Sequence, residues 1–176
     1  AEGLVRSLLE AGVTVLSSRI AIVGAGGAAR AAVVGLAEAG AEEITVFSRR
    51  PEQAGTLVSS LRARVDCALR AAPLERAGDS FPRAQLLVQA TSATLGSNPA
   101  AEAFAQSLPI DRLPGDAAVV DMVYDPLRTA VLARAEDRGL RTVAGLGMLL
   151  HQGAIAFEMW TGREPPLAAM RAALDA

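Results

Sequence analysis

Gly24, Gly26 and Ala29 stand at the spacing G-x-G-x-x-A, directly after the apolar run Ile20-Ala21-Ile22-Val23. That order reads as strand, tight turn and helix. Each position has its own physical role, since the first glycine turns the chain, the second lets backbone approach a pyrophosphate, and the small third residue lets the helix pack on the strand. The helix then starts with unpaired N–H groups and the positive end of its dipole facing the turn, a setting that suits a diphosphate. Ser48-Arg49-Arg50 follows about 20 residues later, where a dinucleotide-binding unit touches the adenosine ribose. A carboxylate there would accept from both ribose hydroxyls, whereas two guanidinium groups suit a 2′-phosphate through paired charge-assisted hydrogen bonds. The pair therefore favours NADP over NAD. Glycine-rich turns also serve as plain strand–helix connections, and two arginines can simply solvate the start of a surface helix, although the dipole there slightly disfavours positive charge.

The spacing of apolar residues predicts the elements that would position these groups. A helix is expected over 2–10, with Gly12 ending it, then a strand over 20–23, a helix over 28–39 closed by Gly40, a strand over 43–48 and a helix from Pro51 toward Arg62. Residues 65–69 read as a short third strand, followed by a weak helical turn around 73–77. Leu86 to Ala90 is an apolar strand ending in the polar loop 91–96, and 117–122 repeats that arrangement. A helix over 129–138, a short strand over 141–144 and helices over 147–161 and 165–174 complete the chain. Nearly continuous apolar strands separated by helices indicate an α/β, Rossmann-like, doubly wound and mostly parallel sheet with helices on both faces. Ligands collect past the carboxyl ends of such strands, so Thr91, Ser92, Tyr124 and Gly145 are expected to face one crevice.

Composition narrows the classes. At 176 residues the chain suits one domain spanning 1–176, with an aliphatic core because aromatics are scarce. A net charge of −2 argues against a general nucleic-acid or anionic-membrane surface. No apolar run reaches the roughly 18 residues of a membrane span, Arg30, Glu38 and His151 interrupting the best candidates. The lone Cys67 cannot form an internal disulfide, and with only His151 beside it no structural zinc set is expected; cytoplasm is the default compartment. All 17 basic side chains are arginine. Any mechanism needing a lysine therefore cannot be completed by these residues. The start at Ala1 suggests a piece cut from a longer protein.

The later motifs resemble those of the shikimate dehydrogenase family. They are the Gly24-Ala25-Gly26-Gly27-Ala28 turn, Ser48-Arg49-Arg50, Ala90-Thr91-Ser92-Ala93, Asp121 to Tyr124 with Pro126, Gly145-Leu146-Gly147-Met148-Leu149 with Gln152, and Phe157 to Gly162. The resemblance covers essentially the whole chain and implies an NADP-dependent enzyme that reversibly reduces 3-dehydroshikimate to shikimate. Gly24, Ala25, Gly26, Gly27 and Ala28 would hold the pyrophosphate, and Ser48, Arg49 and Arg50 the adenosine-phosphate end. Thr91, Ser92 and Ala93 would line the cofactor channel, Met122, Gly145 and Met148 would shape the nicotinamide end, and Tyr124 and Gln152 would reach shikimate. The chain departs from the family where Ser48 stands for a usual Asn, Arg50 for Thr, and Thr94 for a common Gly. Those departures leave Arg49 the surest phosphate ligand and leave the cofactor contacts around Thr94 open.

The resemblance also implies a Lys and Asp acid–base pair in a preceding substrate domain, with Ala1-Glu2-Gly3 directly following that domain's aspartate. No catalytic residue and no metal ligand is expected here, so the chain should bind NADPH without turning over shikimate. Tyr124, Asp121 and His151 are the only candidates to substitute; Asp121 reads more readily as a turn stabiliser, and His151 as a packed or exposed helix residue. The final helix, with Leu167, Met170 and Leu174 on one stripe, is expected to pack on the substrate domain. A homodimer is compatible with this picture. A quinate or shikimate dehydrogenase paralogue, or a non-catalytic NADP-binding module, remains the alternative.

Overall fold

The computed structural model describes residues 1–174. Six strands form one sheet: β1 (Arg19–Val23), β2 (Glu43–Ser48), β3 (Ala68–Pro73), β4 (Leu86–Gln89), β5 (Ala118–Asp121) and β6 (Arg141–Val143). All neighbours are parallel, in the order β3-β2-β1-β4-β5-β6. The chain thus builds outward from β1 on one side, returns to place β4 on the other, and leaves a switch point between them. The register sets Ile20 beside both Ile44 and Leu86.

The strands are apolar on successive residues because both faces are covered. Ile20, Ile22, Ile44, Val46, Leu86, Val88 and Val120 face one core, packed by α1 (Glu2–Glu10), α2 (Gly27–Glu38) and α3 (Pro51–Leu61). Ala21, Val23, Phe47, Leu87 and Val119 face the other, packed by α4 (Ala77–Ser80), α5 (Ala101–Ser107) and α6 (Ala130–Asp137). Phe47 meets Phe81 edge to face there, ring centroids 6.0 Å apart. Two more helices, α7 (Gly145–Thr161) and α8 (Leu167–Leu174), finish the described chain.

Local chemistry sets the helix ends. After α2, Gly40 takes φ +86° while its N–H and that of Ala41 return to Ala37 and Leu36 carbonyls, so the left-handed residue closes the helix. Pro51 opens α3, where its missing N–H costs nothing. Thr129 caps α6 by accepting from Leu132 N–H.

Two expectations need correction. The third strand lies at Ala68–Pro73 rather than 65–69, because pairing with Glu43–Ser48 fixes it, and a 3-10 turn at Leu74–Arg76 leads into α4. The helix α5 is not among the elements that the apolar spacing predicts. No helix among the described residues is long and apolar enough to cross a membrane.

Candidate functional site

The turn after β1 is built around an absent side chain. Gly24 takes φ +122°, its N–H donates to the Phe47 carbonyl at 2.8 Å, and a Cβ there would lie 2.7 Å from the Ala90 oxygen. Only glycine lets β1 end this close to β4. Beyond it, Gly26 is extended at the N-cap of α2 and offers no side-chain cap, and Gly27 and Ala28 are exposed. A Cβ on Gly26 or Gly27 would meet nothing within 4 Å. The first-turn amides of α2 have no side-chain cap, and Ala25 and Gly26 line the crevice in front of the positive end of the helix dipole.

Across from this turn, Ser48 ends β2 and its hydroxyl accepts from Arg50 N–H at 3.1 Å. Arg49 and Arg50 are exposed, and neither pairs with a carboxylate among the described residues. Gly24 to Gly26, Ser48 to Arg50, and Thr91 with Ser92 line one crevice of about 280 Å³ at the switch point. Amides and guanidinium groups converge there, and no carboxylate is among the lining residues, which is an arrangement for holding anionic groups. Gln53, Leu74 and Phe104 also line it, and no motif in the sequence points to them. Phe104 belongs to α5, and its spacing with Ala105 and Leu108 is the helical signal that could have revealed it.

Of the remaining predicted residues, Ala93, Met122, Tyr124 and Gly145 follow the carboxyl ends of β4, β5 and β6, and Met148 and Gln152 lie on α7; none of them lines that crevice. Ala93 is half-buried, its N–H donating to Thr91 Oγ1 at 3.1 Å. Gly145, at the start of α7, is pressed on the segment after β5, where a Cβ would lie 2.5 Å from the Val123 oxygen and 2.8 Å from that of Met122. Met122 and Met148 pack against one core cluster. Tyr124 is 47% exposed and Gln152 is exposed on α7. The expected convergence of Thr91, Ser92, Tyr124 and Gly145 on one crevice therefore holds for the first two, while the latter two follow β5 and β6.

Beneath this rim lies a polar cluster at the ends of β4 and β5. Asp121 is fully buried and accepts from Gln89, Thr94, Thr129 and the Val123 N–H. Burial pushes its carboxyl above the usual range, and those hydrogen bonds push back. Gln89 escapes the motif reading; its signal is a lone amide in the otherwise apolar Leu86-Leu87-Val88-Gln89. His151 is buried at the α1 side of α7, 3.1 Å from Glu10, and away from the crevice lining. Cys67 is half-buried, and burial pushes its thiol pKa up, so it presents no activated nucleophile. No cluster that could hold a metal ion occurs among the described residues.

Comparison with known proteins adds to this geometry. Residues 6–107 match the family model described as shikimate / quinate 5-dehydrogenase, and 145–174 the model of the shikimate 5′-dehydrogenase C-terminal domain. The chain is 43% identical over 173 residues to a shikimate dehydrogenase (NADP(+)) of Moorella thermoacetica, covering 96% of this chain and 56% of that protein. It therefore spans little more than half of that relative's length. A shikimate 5-dehydrogenase of Listeria monocytogenes, solved in complex with shikimate and NAD, superposes with a TM-score of 0.87 at 34% identity over 98% of this chain and 61% of that one. The Thermus thermophilus shikimate 5-dehydrogenase, solved with NADP(H) and shikimate, gives 0.79 at 37% identity over 99% and 60%.

Proposed function

The chain belongs to the shikimate/quinate 5-dehydrogenase family, and from that premise we propose that it is the NADP-binding domain of a shikimate dehydrogenase, an enzyme that reversibly reduces 3-dehydroshikimate to shikimate. The observation that carries the reading is the meeting, at the sheet's switch point, of an uncapped helix N-terminus with two guanidinium groups that pair with no carboxylate among the described residues. Open space over Gly26 and Gly27 leaves room for a diphosphate.

In this reading Gly24 to Ala28 hold the pyrophosphate through backbone amides. Arg49 and Arg50 take the 2′-phosphate, and no ion pair among the described residues has to break first; Ser48 keeps the turn in place through the Arg50 amide. Thr91, Ser92 and Ala93 wall the channel. Met122, Gly145 and Met148 bound the nicotinamide end, where apolar sulfur side chains exclude water. Tyr124 and Gln152 offer a hydroxyl and an amide to the hydroxyls or carboxylate of shikimate. The reduced nicotinamide supplies the hydride; this chain binds and orients. Proton delivery falls to a Lys and Asp pair in a substrate domain, since no lysine occurs here, and relatives longer than this chain leave room for such a domain.

Titration of the purified chain with NADPH and NADH tests the reading. NADPH should bind more tightly. Replacing Arg49→Ala together with Arg50→Ala should weaken NADPH by about 1.5–3 kcal/mol for each charged hydrogen bond removed, with much less effect on NADH. Equal losses for the two nucleotides would make the arginines structural.

A further inference from the structure

Asp121 ends β5 and accepts four hydrogen bonds without any exposed surface. Oδ1 takes Gln89 Nε2 at 3.1 Å and the Val123 N–H at 3.0 Å, while Oδ2 takes the hydroxyls of Thr94 at 2.9 Å and Thr129 at 2.7 Å. The Gln89 NH2 shares its two protons among three acceptors, Asp121 Oδ1, Thr94 Oγ1 and the Thr91 oxygen at 3.1 Å, and the donors' other partners set the direction of the bonds to Asp121. A backbone N–H can only donate, so the Thr91 N–H on Gln89 Oε1 turns the Gln89 NH2 toward Asp121. The Thr94 hydroxyl accepts from that NH2 at 2.9 Å, and the Thr129 hydroxyl accepts from Leu132 N–H at 3.3 Å. Both hydroxyl protons are thereby left for Oδ2. All four neighbours donate, so the network suits a carboxylate anion, and no guanidinium among the described residues joins it.

The four donors come from β4, the turn after it, the segment after β5 and the N-cap of α6. Two of these segments carry residues that face the nucleotide in the proposed function: Thr91 to Ala93 in one and Met122 in the other, where Tyr124 follows toward shikimate. A further bond, Gly96 N–H to the Asp125 oxygen at 2.8 Å, joins the same two segments from outside. Resting on the NADP-binding reading above, we infer that Asp121, with Gln89 and Thr94, is a positioning group that locks the turn 91–96 onto the segment 122–129 and so sets the nicotinamide end of the site. The Thr94 hydroxyl is one of the two donors to Oδ2, so a residue without it would leave that oxygen to Thr129 alone.

The test separates the two ends of the nucleotide. The unsubstituted chain and its variants are titrated with NADPH and with adenosine 2′,5′-bisphosphate, which carries the adenosine phosphates but no nicotinamide. Thr94→Val should weaken NADPH about tenfold while leaving the bisphosphate within about twofold, and Thr94→Ser, which keeps the hydroxyl, should restore NADPH binding. Asp121→Asn should act in the same direction; Thr94→Val decides the matter if that variant does not fold. Unchanged NADPH affinity in Thr94→Val, or an equal loss for both ligands, overturns the inference. Equal affinity of the unsubstituted chain for the two ligands overturns it as well, with the nucleotide reading intact. Binding of neither overturns the nucleotide reading and the inference together.

Discussion

Position 24 leaves no space for a side chain, and this gives the sharpest contrast within the glycine turn. Gly24→Ala would force a Cβ to 2.7 Å from the Ala90 oxygen at a φ of +122°, a conformation that costs a non-glycine residue about 1–3 kcal/mol before the clash is counted. Chemical denaturation should show at least that loss. Gly27→Ala is the control, since nothing lies within 4 Å of its would-be Cβ and the residue is already helical. There stability should hold or rise by about 0.5–1 kcal/mol, so that any fall in NADPH affinity reports on space the ligand needs. A denaturation midpoint for Gly24→Ala equal to the parent's would mean that β4 gives way, and that the turn is no rigid support. Arg49 and Arg50 add an argument of the opposite kind. They sit just before the N-terminus of α3, where the dipole disfavours positive charge, and no carboxylate among the described residues pairs with them; a bound anion would relieve that placement.

Thr129 shows how one side chain serves two elements. It caps α6 through Leu132 N–H and donates to the buried Asp121. Thr129→Ala should cost about 1 kcal/mol for the cap and about 1.5–3 kcal/mol for a hydrogen bond to a charged group, the two overlapping, whereas Thr129→Ser should retain most of both. Thermal unfolding of the two variants checks this; a loss below about 0.5 kcal/mol in the alanine variant would show that water replaces the hydroxyl. Elements of this kind are legible in the sequence where their signals are local. The strand, glycine turn and helix from Ile20 to Glu38 follow from spacing and turn chemistry within a few residues, and Arg49 and Arg50 follow from their distance to that turn. The edge strand β3 is expected too early in the chain because Val65, Cys67 and Leu69 alternate, while Arg70 and Ala71 in the true strand are exposed; its register is set by β2, far away in the chain. The short helix α5 lies between Pro99 and Pro109 without a side-chain cap, so its start carries little signal. Asp121 is legible only in its local part: the bond to Val123 N–H spans two residues, but Gln89 is 32 residues away.

Across the whole molecule, the first and last described helices are joined by one carboxylate. Glu10, at the end of α1, accepts from Arg171 of α8 at 2.6 Å and lies 3.1 Å from His151 of α7. The α1–α7 contact does not depend on it, because a Cβ on Gly3 would lie 2.9 Å from the Gln152 nitrogen and one on Gly147 2.5 Å from Ser7 Oγ. The first is an approach to backbone that only glycine allows, and at the second the Ser7 hydroxyl would have to turn aside for a larger residue. By contrast, α8 has no buried residue. Glu10 adds a polar tie beside the half-buried Leu167 and Met170, its carboxyl held below the usual range first by the Arg171 hydrogen bond and then by His151. A carboxylate with a lowered folded pKa contributes stability that is present above its unfolded pKa and lost as pH falls through the folded value. Since Glu10 is half-exposed and its partners are screened by solvent, the contribution is below about 1 kcal/mol, enough to shift a local opening but not global unfolding. Hydrogen exchange should accordingly quicken in 167–174, relative to intrinsic rates, in Glu10→Ala at neutral pH and in the parent on acidification below the carboxylate range, with β1 and α2 unchanged. If exchange in α8 ignores both changes, the apolar contacts of Leu167 and Met170 hold it, and the join between the two ends of the chain is a hydrophobic one.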